Sequence, residues 1–597
     1  MDKRIGSLLL SLIVTFFLII KFSINPMVSF LVFIVLTLVF LYSMKKINKK
    51  YNKMSLILSG VFTLIYIICD SIEISKTINI FNRYLLLNMS SYFIIFYFSL
   101  INLFVFMDKY IRKKEEDRTI TIGDKEILST SKFSFIISFS LIFIVNLLFL
   151  IKFYPGNLTY DSYNEISQIK GLFPLMNNHS ILHTGLLALF IKFGLLFKSM
   201  NLGVFLYSLF QISLVSLLFS YILYFMAKHK VPIIFRIISL LFFAFHPINI
   251  FYSFSIWKDI LFSLVFVIFT IIIYYLSKDK DYFMNKKNIA LFIIISVLLM
   301  YLRNNAVYVV LITLLVLFIK YRKTYKRIIP VFISVILTFF ISKLLIFNIC
   351  HINNYEVREM LSVPSQALAR IYKNGNINKK EKETIEKFYT NKIGEVYNPI
   401  ISDNTKGLLN QDYFKKHKGE YIKFNLKLFF THNKEYMESF ISNNYGYYYM
   451  NSYYPSIILQ KTDDLGVKHA NIDFLFIFLL LTLISIAIVL IVLWNLKDKK
   501  NILLFGLLVP VFLGLSFSIK DNSLISLLFN IGFYVTIIFL TLIYNIKNKN
   551  SVIYYIPSII LWITILFSPV YAEFRYLYPL FILVPIFIGM TMKKIDE

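Results

Sequence analysis

Residues 133–163 read FSFIISFSLIFIVNLLFLIKFYPGNLTYDSY. The first 19 of them, Phe133 to Ile151, carry no charge. As a helix rising about 1.5 Å per residue, such a run covers a hydrocarbon core of about 30 Å. Tyr154-Pro155-Gly156 then breaks the helix, and polar residues follow at once. The passage is a membrane span that empties into a polar loop.

The same pattern recurs outward in both directions, with apolar runs of roughly 17 to 25 residues along the whole chain. Across 597 residues the composition is 58% hydrophobic and 16% charged, with a mean hydropathy of +0.70. A soluble globular domain is nearer half apolar and a quarter charged, so that class is excluded. The net charge of +29 comes from 62 Lys and Arg against 33 Asp and Glu. The basic residues fall in short clusters between apolar runs, which is the positive-inside pattern of a membrane protein and not a nucleic-acid footprint. Cys69 and Cys350 are too few for a disulfide framework and read as small apolar packing side chains. The run from Ile5 to Ile20 has no small-residue cleavage site after it, and another apolar run begins at Met27, so it reads as a retained first span.

With Lys3 and Arg4 in the cytoplasm, the later basic clusters alternate with the spans. Lys45 to Lys53, Lys109 to Lys132, Lys228 and Lys230, Lys278 to Lys287, Lys320 to Arg327, Lys497 to Lys500, Lys547 and Lys549, and Lys593 and Lys594 all fall inside. The expectation is an all-α polytopic membrane protein with about sixteen transmembrane helices and both termini cytoplasmic. Residues 1–132 hold four N-terminal helices and a cytoplasmic loop, and 133–347 form a membrane core whose first outer loop is 153–201. Residues 348–471 are an extracytoplasmic insert, and 472–597 are C-terminal helices. The insert is rich in Lys, Glu, Asn and Tyr, with a helical stretch from Lys379 to Phe388 and turns at Asn374-Gly375 and Asn398-Pro399.

In the first outer loop Thr159 can cap a helix on which Asp161, Glu165 and Gln168 share a face. Two such carboxylates can act as a general base with a helper, or hold a divalent cation; a helix-dipole role for Asp161 competes with both. His179 and His183, four apart, read as lying on one interfacial helix that ends near Phe197, where joint metal binding or substrate hydrogen bonding competes with a structural role. Lys258 and Asp259 follow His246-Pro247 at the start of a span, and Arg303-Asn304-Asn305 separates two spans. Arg575 lies in the stretch Tyr571 to Pro579, where Glu573 can pair with it. Charges so near hydrocarbon need partners or must snorkel, and Arg236, near a cytoplasmic end, reads as a snorkelling residue. Cations at outer helix ends facing loop carboxylates suit a site that holds a lipid phosphate and deprotonates a hydroxyl.

These motifs resemble an uncharacterised bacterial family of multi-pass membrane proteins, domain of unknown function 6020. The matching pieces are Tyr154-Pro155-Gly156 with Asp161-Ser162, His183-Thr184, Trp257-Lys258-Asp259, Arg303-Asn304-Asn305, Ser362 to Gln366 with Ala369-Arg370, Asn443 to Tyr447, and Phe574-Arg575-Tyr576 with Pro579. They run from about residue 150 to the C-terminus. The family has the architecture of GT-C glycosyltransferases of the protein mannosyltransferase and aminoarabinose transferase type. That resemblance implies sugar transfer from a polyprenyl-phosphate-linked donor to a cell-envelope glycan, lipid or protein on the extracytoplasmic side, with membrane lipids and no nucleic acid as partners. It places Asp161 where such enzymes carry a catalytic or metal-binding acid, and with Glu165 on the same helix face these two are the catalytic candidates, with Mg2+ or Mn2+ as a cofactor they could share. Together with the residue reading, which adds His179, it leaves His179, His183, Lys258, Asp259, Arg303, Asn304, Gln366, Arg370 and Arg575 as the candidates for binding substrate or lipid phosphate. Ser162 stands where GT-C loops often carry a second acid. A surface-glycan ligase or polymerase of the same architecture, and a lipid-linked substrate transporter or flippase, are the alternative readings. A transporter would use broken helices in paired halves, which the sequence does not display.

Overall fold

Long uncharged runs decide the helices of the computed structural model, which describes residues 3–45, 47, 49–79, 83–108, 120–122, 125–279, 281–322, 325–352, 357–450, 467, 527–548 and 551–592. In chain order they are α1 (Lys3–Phe22), α2 (Pro26–Lys45), α3 (Lys49–Ser75), α4 (Leu85–Phe106), α5 (Lys132–Lys152), α6 (Tyr160–Ile169), α7 (Ile181–Leu196) and α8 (Met200–Lys228). Then come α9 (Ile233–Phe245), α10 (Pro247–Phe254), α11 (Lys258–Lys278), α12 (Lys286–Leu302), α13 (Ala306–Lys320) and α14 (Tyr325–Ile349). The more polar stretch holds α15 (Ser362–Asn374), α16 (Lys379–Phe388), α17 (Asp403–Lys406), α18 (Gln411–Lys416), α19 (Lys418–Thr431) and α20 (Asn433–Asn444). The chain closes with α21 (Ile531–Lys547), α22 (Ile556–Phe567) and α23 (Tyr578–Met592).

Among the described residues nine helices are long and apolar enough to cross a membrane, or ten if α9 and α10 count as one bent span. The chain is a multi-pass, helical membrane protein. The count of about sixteen is not reached by long helices there: α7, α13, α21 and the helical segment Ile553–Phe567 are apolar but short. Residues 451–526 other than Val467, with Lys497 to Lys500, lie outside the described residues, as do Lys46, Lys109, Lys549, Lys593 and Lys594. One element departs from all-α: Ile120–Ile122 and Lys125–Ile127 pair as a short antiparallel hairpin, Ile120 opposite Ile127.

The chain divides into two units. One comprises residues 1–114, 361–452 and 569–572. In it α1, α2 and α4 pack through Val14, Phe40, Ile94 and Phe98. The polar helices are tied to the end of α3: Arg370 donates to the carbonyl of Lys76 at 2.8 Å, and Glu438 accepts from the amide of Ile78 at 2.7 Å. Asp70, near that end, takes Lys21 at 2.6 Å and also contacts Tyr92 and Tyr449. The insert and the N-terminal helices therefore share one set of buried polar contacts, a role the sequence did not assign to those helices.

The other unit comprises residues 115–360, 453–568 and 573–597. Here α7 and α8 approach at two glycines: a Cβ on Gly194 would stand 2.4 Å from the amide nitrogen of Gly203, which only glycine permits. Between α9 and α10 the helix bends by 47° at His246-Pro247, because proline cannot supply the next amide. Freed backbone groups at membrane depth need new partners. Asn249 donates to the carbonyl of Phe242 at 2.9 Å, and Gln211 of α8 donates to the carbonyls of Tyr252, Ser253 and Ser255 at 3.2, 2.9 and 2.9 Å.

Three expectations are corrected. Arg236 does not snorkel: it is buried and donates to the carbonyl of Leu128. Cys350 is not packed but exposed, since it follows the last turn of α14, whereas Cys69 is buried as expected. His179 is not on the helix of His183, because Ser180 caps that helix by accepting from the amide of His183 at 3.3 Å.

Candidate functional site

The loop after α5 is fixed by backbone pairing before any charge matters. Gly156 sits at φ +138°, and a Cβ there would meet Ser208 Oγ at 2.3 Å. Asn157 then pairs with the segment after α10: its amide donates to Phe254 at 3.1 Å, its carbonyl accepts from Ile256 at 3.0 Å, and its side chain donates to Ser255 Oγ at 2.8 Å. Ser162 Oγ accepts from the amide of Thr159 at 3.2 Å and donates to the carbonyl of Ile256. The start of α6, carrying Asp161, is thus lashed to the residues that lead into α11, carrying Lys258 and Asp259.

Arg575 is the centre of the resulting cluster and is 3% exposed. Its guanidinium contacts Asp161, lies 2.8 Å from Glu573 and 3.5 Å from Asp259, and donates to the hydroxyl of Tyr160 at 2.7 Å. The rings of Trp257, Tyr160 and Tyr576 lie about it with centroids 5.0–5.2 Å away, where cation–π attraction operates. Arg303, at the C-cap of α12, donates to Asp259 at 2.9 Å and to the carbonyl of Tyr576 at 3.3 Å. Tyr160 donates to Glu573 at 3.1 Å. Lys258 donates to the carbonyl of Asn178 at 3.1 Å and has no carboxylate partner among the described residues.

The three carboxylates differ in access: Asp161 is 16% exposed, against 1% for Asp259 and 2% for Glu573. Burial raises the Asp161 carboxyl, but Arg575 and then Lys258 outweigh it and hold the group well below the usual carboxylate range. Burial, and next Lys258, push His179 down, so its imidazole is neutral near pH 7. His179 Nδ1 is buried without a hydrogen-bond partner among the described residues.

Glu165 and His183 form a second, deeper chain. Glu165 Oε2 lies 2.7 Å from His183 Nδ1, and His183 Nε2 lies 2.7 Å from the Tyr207 hydroxyl. Glu165 and His183 are essentially closed to solvent, and Glu165 Oε1 has no hydrogen-bond partner among the described residues. With Glu165 ionised, Nδ1 donates to it and Tyr207 donates to Nε2, which fixes the tautomer. Gln168, the third residue of the expected face, accepts from the amide of Met176 at 3.1 Å.

Asp161, Asp259, Arg303 and Arg575 are thus brought into one network, and Glu165 with His183 into another. Asn304 is exposed in the turn after Arg303. Gln366 and Arg370 belong to the unit that holds the insert. There Gln366 bridges the carbonyl of Asn398 at 2.8 Å and Thr405 at 3.1 Å, and Arg370 pairs with Glu438, its Nε at 3.0 Å. Sequence reasoning gave no site role to Tyr160, Trp257, Tyr576 or Tyr207, although Trp257 and Tyr576 stand in the quoted motifs. The first three neighbour Asp161, Lys258 and Arg575 in sequence, so aromatic residues flanking a candidate charge were the available signal. Tyr207 sits in an apolar helix with nothing to mark it.

Residues 173–474 match the family model described as a family of unknown function, DUF6020. The chain belongs to this family. No match was found among curated proteins or among solved structures. The stretch matched by the DUF6020 family model takes in His179, His183, Lys258, Asp259 and Arg303 and leaves Asp161, Glu165 and Arg575 outside, so it is narrower than the expected run from about residue 150.

A shared divalent cation is not supported by the donor set. Asp161 is engaged by a guanidinium and Glu165 by an imidazole whose other nitrogen is also taken. Among the described residues no three His, Cys, Asp or Glu side chains assemble as a metal site.

Proposed function

We propose that this chain is a GT-C-like membrane glycosyltransferase, with about sixteen crossings and both termini cytoplasmic. It transfers a sugar from a polyprenyl-phosphate-linked donor to a cell-envelope acceptor on the extracytoplasmic side. One observation carries the reading. Asp161 is the most accessible carboxylate of a buried ion network, and Lys258, close enough to bias its charge, has a backbone carbonyl and no carboxylate as its partner.

In this reading Lys258 meets the donor phosphate, and Arg575 turns toward it from Asp161. The acceptor oxygen forms a bond to the anomeric carbon while the bond from that carbon to the phosphate oxygen breaks, its electron pair leaving with the polyprenyl phosphate. The acceptor proton passes to Asp161. A carboxylate clamped by a guanidinium is a weak base, because proton transfer works best near the operating pH. Losing Arg575 to the phosphate would raise the proton affinity of Asp161 only when donor is bound. Arg303 and Glu573 hold the network in place, and the Glu165–His183–Tyr207 chain positions α6 against α7 and α8. The bend at His246-Pro247 is the feature that leans toward a transporter. Where a transporter would offer freed carbonyls to a coupling ion, Gln211 and Asn249 donate to those of Phe242, Tyr252, Ser253 and Ser255.

The test is transfer of radiolabelled sugar from polyprenyl-phosphate hexose or pentose to a membrane extract by the purified full-length protein. Asp161→Asn should lower transfer by at least about 10²-fold while donor binding is kept. Parent-level transfer by that variant would remove Asp161 from the mechanism, and failure of the parent to bind any polyprenyl phosphate would remove the function.

A further inference from the structure

Helix α19 presents three faces. Tyr421, Asn425 and Leu428 are buried in the insert. Ile422, Leu426, Phe429 and Phe430, spaced by four, three and one, form an apolar stripe beside them, with Ile422 58% and Phe430 75% exposed. Lys418 and Lys423, both exposed, edge that stripe, while Lys427 beside them donates to Glu381 of α16 at 2.8 Å. Between Gln411 and Met437 there are six lysines and three carboxylates, so the surroundings of the stripe are cationic. An apolar stripe edged by lysines on a short helix is the pattern of a segment lying in a membrane surface.

Position points the same way. α20 follows α19 after His432 alone, and its Glu438 accepts from the amide of Ile78, just past the end of the α3 span at Ser75. Phe430 stands eight positions before Glu438, so the C-terminal end of the stripe lies within roughly 25 Å of the residues just past that span end.

We propose that α19 lies flat in the headgroup layer of the bilayer on the side where α3 ends, with its four apolar side chains in the acyl boundary and Lys418 and Lys423 at lipid phosphates. The inference is independent of the glycosyltransferase reading. It is tested on the full-length chain with Cys69→Ala and Cys350→Ser, reconstituted in vesicles of phosphatidylcholine with phosphatidylglycerol. A bimane label is placed at Leu426→Cys or Phe430→Cys, with Glu383→Cys on α16 as the exposed control. Brominated lipid should remove most of the fluorescence at both stripe positions and little at the control, whereas aqueous iodide should do the reverse. Quenching of the stripe by iodide and not by brominated lipid would overturn the proposal. So would protection from both quenchers, which would mean that another part of this chain or a second copy covers the stripe. Replacing phosphatidylglycerol by phosphatidylcholine should weaken the lipid quenching; stripe quenching unchanged by that replacement would overturn the assignment of the lysines to anionic headgroups.

Discussion

Replacing Arg575 by methionine removes the guanidinium that touches Asp161, Asp259 and Glu573 at once. Asp259 and Glu573 are 1% and 2% exposed, so water cannot take its place. Breaking a buried ion pair from one side costs about 3–5 kcal/mol. Arg303 still holds Asp259 at 2.9 Å, which puts the expectation at the lower end, about 3 kcal/mol. At about 2 °C per kcal/mol for a large domain, the melting temperature should fall by roughly 6 °C. Unfolding of a protein of this kind is expected to be irreversible, so the assay compares melting at one fixed scan rate in one detergent. Arg575→Lys keeps the charge but not the planar fork, and should lie between methionine and the parent. Adding Asp161→Asn to Arg575→Met removes one of the orphaned charges and should restore part of the loss, a coupling of at least about 0.5 kcal/mol. A methionine variant that melts with the parent would refute the claim that this cation holds the network. Strict additivity in the double variant would refute the Asp161 contact.

Asp161 also makes a pH prediction. Its carboxyl is held below the usual range, so its stabilisation is present above the unfolded value of about 3.9 and is lost as pH falls through the folded value. Asp161→Asn should flatten the acid fall in melting temperature below about pH 4 and leave its slope between about pH 5 and 8 unchanged; an unaltered acid limb would speak against the ion pair. In the deeper chain, Tyr207→Phe removes one neutral hydrogen bond worth about 1 kcal/mol, while His183→Leu strands the buried Glu165 carboxylate and should cost more. The reverse order of melting temperatures would show that the Glu165–His183 contact is not the stronger of the two. For the proposed orientation, single cysteines near Tyr160 and near Lys416, in a chain lacking the exposed Cys350, should both react with an impermeant thiol reagent on intact cells. Labelling only after lysis would overturn it.

Sequence alone determined the membrane class, because spans must satisfy every backbone group within themselves and so announce themselves as uncharged runs. It also marked local signals: Thr159 ahead of α6, helix α16 from Lys379 to Phe388, and the start of α11 at Lys258 all stand where propensity and capping put them. Spacing on a capped loop helix flagged Asp161, and charges expected near hydrocarbon flagged Lys258, Asp259, Arg303 and Arg575 as residues needing partners. Which partner each one takes was decided by tertiary structure. Asp161 and Arg575 are 414 positions apart, and they meet because Asn157 pairs with the segment after α10 and Gly156 fits against Ser208. Spacing along a helix suggested that His179 and His183 act together, yet a cap at Ser180 separates them and turns His183 to Glu165 and Tyr207. Short-range rules describe how a segment begins and ends, whereas ion pairs and buried hydrogen bonds depend on which distant segments pack together, and periodicity carries no record of that.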